Sequence, residues 1–266
     1  VEIFIEGIQD KDGVTRGTAK GPLSTIGVDI DTNQPGTPNP VVDGCLALLD
    51  AWDAYVRDAV RDILAGITSE KVTVPLIAVM EKTEPGKKSM ADGTIRDETT
   101  QEFMRGRATA EATLVKMAAP AIDPIIKNLL GAPEPEVRAT ACRMLGGITD
   151  QSLGTPVPPE KAVVVVKPLL TRLTTDDQWG VRRRAATALG VLGEVAKANA
   201  VVPALIQRMR AERDEVKAAC AEALGKIADP SAIGPLVDTL IANRRGATRE
   251  LRLALTALGP DAIPVI

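Results

Sequence analysis

The chain has 266 residues, of which 45% are hydrophobic and 25% charged, and its formal net charge is −3. This composition is typical of a folded protein with one large core or two ordinary ones, and it argues against extensive disorder. The chain contains no histidine. That absence excludes Ser-His-Asp triads, histidine-ligated metal sites and HExxH helices. No run of residues approaches the roughly 18 consecutive apolar residues that a membrane-spanning helix needs.

The first 43 residues differ from everything after them. Apolar residues alternate with others over residues 1–6 and again over residues 26–30, and a period of two predicts short strands. Three prolines within residues 35–40 exclude a helix there. We therefore predict a short extended or β segment followed by a Pro-rich linker over residues 1–43. A first residue other than Met favours a processed, exported bacterial protein over a cytoplasmic one.

From Gly44 onward the apolar residues follow the helical period. In the clearest copy, Val216, Cys220, Leu224 and Ile227 form one stripe along a helix of about three turns. The stripe recurs around six anchor leucines, which are Leu64, Leu114, Leu145, Leu189, Leu224 and Leu255. After each stripe comes a second predicted helix that opens with a proline, namely Pro75, Pro124, Pro168, Pro203, Pro235 and Pro264.

The anchor leucines lie 50, 31, 44, 35 and 31 residues apart. The two longer gaps contain insertions rich in polar residues, Gly and Pro, near residues 81–100 and 150–161. A period of this length predicts helix pairs stacked on one another, since no single pair buries its own apolar stripe. Ile266 falls in the first turn of a proline-started helix, so the last repeat is incomplete. We expect further chain, or a partner, to cover that end.

These repeats resemble HEAT repeats, in particular the short variant named after phycobilisome lyases. The residues that carry the resemblance are Glu136-Val137-Arg138, Gly180-Val181-Arg182, Ala188-Leu189-Gly190, Glu215-Val216-Lys217, Ala223-Leu224-Gly225 and Ala232-Ile233-Gly234-Pro235-Leu236. The resemblance implies an all-α fold, a right-handed α-solenoid of about six helix-pair repeats over residues 44–266.

A glycine follows the anchor leucine in three repeats, at Gly146, Gly190 and Gly225. Glycine inside a helix costs roughly 1 kcal/mol relative to alanine, so we expect close approach of another helix at these positions.

The three cysteines fall within apolar stretches. Cys142 and Cys220 lie on the inner stripe of their helices, and Cys45 precedes an apolar run. We predict that all three are small core residues rather than thiol nucleophiles or attachment sites for a bilin.

Charge is divided unevenly along the chain. Residues 1–162 carry a net charge of −7, whereas residues 163–266 carry +4. Arginines recur once per repeat in the second part and could line up into a basic ridge; alternatively they belong to a solvated face with interleaved acids. Trp179 is either an anchor residue at an interface or a hydrophobic residue that packs within its own turn. The candidate partner-binding residues are Trp179, Arg182, Arg183, Arg208, Arg245 and Arg249, with Lys87 and Lys88 in the first insertion.

No catalytic motif is present, and the pair Asp176-Asp177 is interpreted as capping the helix that follows it. We therefore predict no catalytic, cofactor-binding or metal site. The predicted function is a non-enzymatic protein–protein interaction scaffold, an accessory or structural subunit of a larger assembly. One alternative, implied by the resemblance, is a phycobilisome-lyase-like chromophore-binding protein or chaperone. Another is a HEAT-like DNA-binding or repair protein, although a pI of about 5.3 and few aromatics disfavour nucleic acid.

Overall fold

The structure, a computed structural model, describes residues 1–33, 37–89, 95–150, 157–197, 201–242 and 246–259. The chain divides into two compact units, which we call unit 1 (Val1–Pro124) and unit 2 (Ile125–Ile266). Helices form nearly all of the regular structure in both units.

Unit 1 consists of two layers of helices. The helices are α1 (Glu2–Ile8), α2 (Gly13–Asn33), α3 (Pro40–Ala47), α4 (Ala54–Gly66), α5 (Glu70–Glu81), α6 (Thr100–Met117) and α7 (Ala119–Pro124). Helices α2, α4 and α6 pack side by side in one layer, whereas α1, α3, α5 and α7 form the other. We call members of the first layer first helices and members of the other layer second helices. Between α5 and α6 the strands β1 (Lys87–Ser89) and β2 (Ile95–Asp97) pair antiparallel, with Lys88 opposite Arg96.

Unit 2 repeats the same two layers. A π-helical turn (Ile125–Leu129) precedes α8 (Pro135–Thr149), α9 (Pro159–Thr175), α10 (Trp179–Val191), α11 (Glu194–Lys197), α12 (Val201–Ala211), α13 (Asp214–Ile227), α14 (Ile233–Ala242) and α15 (Thr248–Ala257). The first helices are α8, α10, α13 and α15, and the second helices are α9, α12 and α14. The predicted all-α solenoid, in which each helix pair packs on the next, is confirmed.

The anchor leucines form the core of both units. All six have a relative exposure of 0%, and the valines that begin their stripes, such as Val137 and Val216, are buried with them. Since each stripe is only three turns long, its burial depends on the helix pairs on either side.

Close approach between first helices explains the glycines after the anchor leucines. A Cβ at Gly190 would lie 2.7 Å from the Cα of Ala223, and one at Gly225 would lie 2.8 Å from the Cα of Ala254. At Gly146 the corresponding distance, to the Cα of Ala188, is 3.2 Å. The predicted packing role of these glycines is therefore confirmed.

In unit 1, ion pairs connect the three first helices. Asp62 of α4 accepts hydrogen bonds from Lys20 of α2 and from Lys116 of α6. Burial raises the pKa of Asp62, but the two ammonium groups lower it by a larger amount, so the resulting pKa is about 2.

The prediction of an extended or β segment at the N-terminus is wrong. Residues 2–8 and 13–33 form α1 and α2, which continue the second and first layers of unit 1. Ala19, Leu23 and Gly27 are buried at a spacing of four residues, which is a helical stripe made mostly of small side chains. Packing along that stripe outweighs the alternation of apolar residues, which covers only a few positions. The boundary expected after residue 43 lies inside α3.

The last residues of the expected linker belong to the start of α3, which begins at Pro40. Residues 34–36 lie outside the described part of the chain, and Asn39 is buried as the N-cap of α3. Its side chain accepts from the backbone N–H of Val41 at 3.2 Å and donates to the carbonyl of Gly27 at 2.9 Å. Asn39 therefore fastens α3 to α2.

Several second helices begin earlier than their prolines indicate. Pro75 lies in the middle of α5 and Pro168 in the middle of α9, and Pro124 ends α7. In α9 the helix starts instead at Pro159, because a proline in the first turn sacrifices no hydrogen bond. A single interior proline removes one N–H donor, which the packed layers tolerate.

The two insertions lie in different kinds of turn. The first, near residues 81–100, joins a second helix to a first helix and contains β1 and β2, whereas the second, near residues 150–161, joins α8 to α9. Most of the second insertion, residues 151–156, falls outside the described residues, as do residues 260–266, where the incomplete last repeat was predicted. Among the described helices, none combines the length and apolar character needed to cross a membrane.

Candidate protein-binding site

An arginine closes the turn before each of four first helices. In each case it is the fourth residue of the helix, and its Nη1 donates to the carbonyls five and six residues earlier, at 2.5 to 3.2 Å. We call this arrangement the arginine clasp. The four arginines are Arg16, Arg57, Arg138 and Arg182, and their acceptors are the carbonyls of residues 10 and 11, 51 and 52, 132 and 133, and 176 and 177.

The clasp of Arg138 extends into a buried ion pair. Its Nε and Nη2 donate to the two carboxylate oxygens of Asp176, at 2.8 and 3.0 Å, and the Asp176 side chain is fully buried. Burial raises the pKa of Asp176, but the bonds from Arg138 and from the N–H of Gln178 hold it below its usual value. Asp177, which is exposed, also accepts from Arg138. The predicted capping role is wrong: the N-cap of α10 is Gln178, no side chain caps the helix, and Asp176 accepts instead from the backbone N–H of Gln178 at 3.0 Å.

Two of the candidate arginines, Arg182 and Arg208, converge on one acid. Arg182 donates to both oxygens of Glu212, at 2.6 and 2.9 Å, and Arg208 donates to the same carboxylate at 3.1 Å and to the carbonyl of Thr174. The bond from Arg182 lowers the pKa of Glu212, with a further contribution from Arg208. These arginines therefore join neighbouring repeats, and this agrees with the interpretation of a face with interleaved acids.

Trp179 is the first residue of α10 and is half-buried between two arginines. The guanidinium carbon of Arg213 lies 4.4 Å from the ring centroid, and that of Arg183 lies 5.6 Å from it. Arg213 is also paired with Glu215, at 2.9 Å. The ring is held in a cationic setting and keeps part of its surface in solvent, so both interpretations of Trp179 remain open.

A second aromatic cluster lies at the turn between α3 and α4. Trp52 is 81% exposed and Tyr55 is 68% exposed. The guanidinium of Arg105 lies 5.2 Å from the Trp52 ring, and that of Arg16 lies 5.0 Å from the Tyr55 ring. Arg105 Nε also donates to the carbonyl of Asp50, at 3.0 Å, which holds the guanidinium over the indole.

Lys87 and Lys88 lie on β1, beside a groove of about 300 Å³. The groove is lined by the end of α3 and the turn after it, the end of α5, β1, the residue that follows β2, and the first turns of α6. Lys88 is paired with Asp50, whereas Lys87 is exposed. The lining residues used below are Leu46, Asp50, Val79, Lys82, Lys87 and Phe103.

Arg249 and Arg245 complete the candidate set. Arg249 is exposed on α15 and, with Leu253, lines a shallow groove between α13 and α15. Arg245 lies outside the described residues. A continuous basic ridge through both positions therefore stays a prediction.

The three cysteines are buried, as predicted. Burial raises the pKa of Cys45, Cys142 and Cys220 to about 12, so each thiol is protonated at neutral pH. Among the described residues, no group of three or more His, Cys, Asp or Glu side chains is arranged to hold a metal ion.

Sequence reasoning missed the arginine clasp and the Arg138–Asp176 pair. A signal for the clasp is present, since Val56-Arg57, Val137-Arg138 and Val181-Arg182 repeat one dipeptide at one helical position. The acceptors are backbone carbonyls, which have no signature in the sequence.

The family model for HEAT repeats matches residues 122–200 and 166–256, which together span more than half of the chain. No curated protein matches the sequence.

Solved structures with a similar fold include yeast importin-β, Kap95p. It is 15% identical with a TM-score of 0.54, over 97% of this chain and 35% of Kap95p. Kap95p in the structure that concerns RanGDP gives 15% identity and a TM-score of 0.55, over 97% of this chain and 36% of that one. Kap121p bound to Ste12p is 16% identical with a TM-score of 0.51, over 98% of this chain and 29% of Kap121p. The chain therefore spans about a third of the length of these proteins, and the likeness is one of fold.

Proposed function

Because the chain belongs to the HEAT-repeat family, we propose that it is a non-enzymatic scaffold that binds a protein partner through the turns leading into its first helices. One observation carries this proposal. The sequence has two tryptophans and one tyrosine, and all three lie at these turns with an arginine guanidinium over the ring. Tryptophan, tyrosine and arginine are the residue types that dominate binding energy at protein interfaces.

The exposure of these rings supports the same proposal. Trp52 and Tyr55 contribute little to the core of unit 1, in which Phe103 is the buried aromatic residue among mostly aliphatic side chains of the described part. Each arginine that covers a ring pre-orients it and lowers the conformational entropy lost on binding. Kap121p, a protein of similar fold, is known in a structure bound to Ste12p, so this type of fold can hold a protein partner. We propose that the chain is an accessory subunit of a larger assembly.

The experiment begins with purification of the protein from its source under native conditions. The associated protein is identified by mass spectrometry, produced separately and titrated against the purified chain by calorimetry. We expect Trp52→Ala or Trp179→Ala to weaken the affinity about tenfold or more, equivalent to about 1.4 kcal/mol.

The matched control is Ile241→Ala, which removes an apolar side chain that is 69% exposed on the second helix α14. This variant should bind with unchanged affinity. Recovery of the chain without any partner, or equal affinity for all three variants, would overturn the proposal.

The two alternative functions give different outcomes in the same preparation. Visible absorbance that saturates on titration with a linear tetrapyrrole would indicate a chromophore-binding protein instead. A saturable shift of duplex DNA at low salt would indicate nucleic-acid binding.

A further inference from the structure

The groove beside β1 combines apolar lining residues with three lysines and two carboxylates, which are those of Asp50 and Glu98. Leu46 and Val79, which are partly exposed, and Phe103, which is buried, supply the apolar part of its lining, which we call the floor. A volume of about 300 Å³ admits one large apolar side chain together with part of its backbone.

Charge pairing leaves two lysines of the groove available. Lys88 is occupied by Asp50, and Glu98 accepts from the backbone N–H of Gly86 at 3.2 Å. In the part of the chain that the structure describes, Lys82 and Lys87 are exposed and have no carboxylate within 4 Å. Glu98 keeps its negative charge, because a backbone N–H does not neutralise a carboxylate, so the groove carries three lysines against two carboxylates and has a net charge of +1.

The walls of the groove are held in place by polar contacts around one residue, Asp50. Its carboxylate accepts from Lys88 of β1, and its carbonyl accepts from Arg105 of α6. Two residues further along the same turn, Trp52 projects into solvent. The groove is thus fixed before any ligand arrives, and fixed walls reduce the entropy lost on binding.

We propose that this groove docks an acidic segment of a partner protein, with one large apolar side chain on the floor and its carboxylates at Lys82 and Lys87. Charge complementarity selects this occupant, because a basic segment would meet the two unpaired ammonium groups. The inference rests on the proposed scaffold function and specifies the chemistry of the partner at one surface.

The test uses fluorescein-labelled peptides and fluorescence anisotropy with the full chain. One set has a central phenylalanine, leucine or tryptophan flanked by randomised aspartate and glutamate. Matched sets carry glutamine or lysine flanks, or a central alanine. We expect saturable binding of the acidic, apolar set alone, with an affinity that falls several-fold between 50 and 300 mM salt, as about two ion pairs would predict.

Two double variants separate the groove from general electrostatics. Lys82→Glu with Lys87→Glu should weaken peptide binding tenfold or more. Lys127→Glu with Lys167→Glu makes the same change of net charge at two exposed lysines of unit 2 and should leave binding unchanged. Val79→Gln removes apolar floor without a change of charge and should weaken binding several-fold. Circular dichroism of every variant checks that the helices persist.

The inference is overturned if no acidic, apolar peptide binds, if the lysine-flanked set binds equally well, or if both double variants lose binding alike. Should a native partner depend on Trp179 while every acidic peptide fails, the scaffold function stands and only the groove is ruled out. Loss of the native partner as well would overturn both.

Discussion

The guanidinium of Arg138 holds the buried carboxylate of Asp176, 38 residues later in the chain, with two hydrogen bonds of 2.8 and 3.0 Å. The pair joins one first helix to the turn before the next, while the same guanidinium closes the turn before its own helix. One side chain therefore secures two successive turns of unit 2.

Asp176→Asn should destabilise unit 2 strongly, because it leaves the Arg138 charge buried with weaker acceptors. We expect a loss of about 3 kcal/mol in the free energy of unfolding, measured by urea denaturation at pH 7. Asp177→Asn is the matched control, since Asp177 also binds Arg138 but its side chain is 74% exposed. Its effect should stay below about 1 kcal/mol. Equal losses for the two variants would contradict the structure.

The same pair gives a pH dependence. Because the folded pKa of Asp176 is lower than its unfolded value of 3.8, the carboxylate stabilises the fold above that value. This contribution is lost as the pH falls through the lowered pKa. The free energies of unfolding of the wild type and Asp176→Asn, measured at pH 7, 4 and 2.5, should therefore differ less as the pH falls. A difference that stays constant with pH would contradict an ionised Asp176.

Gly190→Ala should destabilise the fold even though alanine favours helices. The new Cβ would lie 2.7 Å from the Cα of Ala223, so α10 and α13 must separate. We expect a loss of about 1 to 3 kcal/mol by thermal or urea denaturation. Gly180→Ala, in the same helix with no atom within 4 Å of the new Cβ, should be neutral or stabilising by up to about 1 kcal/mol. A stabilising Gly190→Ala would refute the close approach.

Asp62→Asn removes the shared partner of Lys20 and Lys116 in unit 1. These lysines are about half-exposed, so the free energy of unfolding at pH 7 should fall by only about 1 kcal/mol, and by less in high salt. Because the folded pKa of Asp62 is about 2, the wild type should lose this contribution as the pH falls from 4 to 2, whereas the variant should not. Asp58→Asn, whose carboxylate pairs with Arg61 of its own helix, serves as the control. A salt-independent loss would argue against this bridge.

The two tryptophans should report different surroundings in fluorescence. Trp179→Phe leaves Trp52, which is 81% exposed, and Trp52→Phe leaves Trp179, half-buried between Arg183 and Arg213. The first variant should emit at longer wavelength and be quenched more strongly by acrylamide, a neutral quencher that the arginines do not attract. Equal Stern–Volmer slopes would show that Trp179 is not sheltered.

The helix pairs that the structure describes between residues 104 and 259 could be predicted because their core is encoded locally. Leu145, Leu189 and Leu224 stand at the same point of the same stripe, each followed by glycine, and each is fully buried. A repeated pattern of this kind predicts the helices, and it also predicts that each helix pair packs against adjacent pairs.

The N-terminal helices were missed because their stripe is built of small residues. Ala19, Leu23 and Gly27 offer little apolar contrast, while the runs at residues 1–6 and 26–30 imitate a period of two. Only packing against the next helix pair decides between the two patterns, and that information lies outside the segment.

The candidate site was predicted in part. Trp179 begins α10 and is partly exposed, and Lys87 is exposed on β1. Arg182 and Arg208, however, are engaged by Glu212 in a way that sequence spacing alone did not indicate. The groove beside β1 depends on the path of the first insertion, which the sequence pattern does not specify.

The arginine clasp has a consequence for how such a chain can lengthen. Each clasp is completed within seven consecutive residues, so a duplicated segment would bring its own fastening with it. Copying such a segment needs no compensating change in the segments beside it, so helix pairs that carry a clasp can be added over evolutionary time with their own turns already closed.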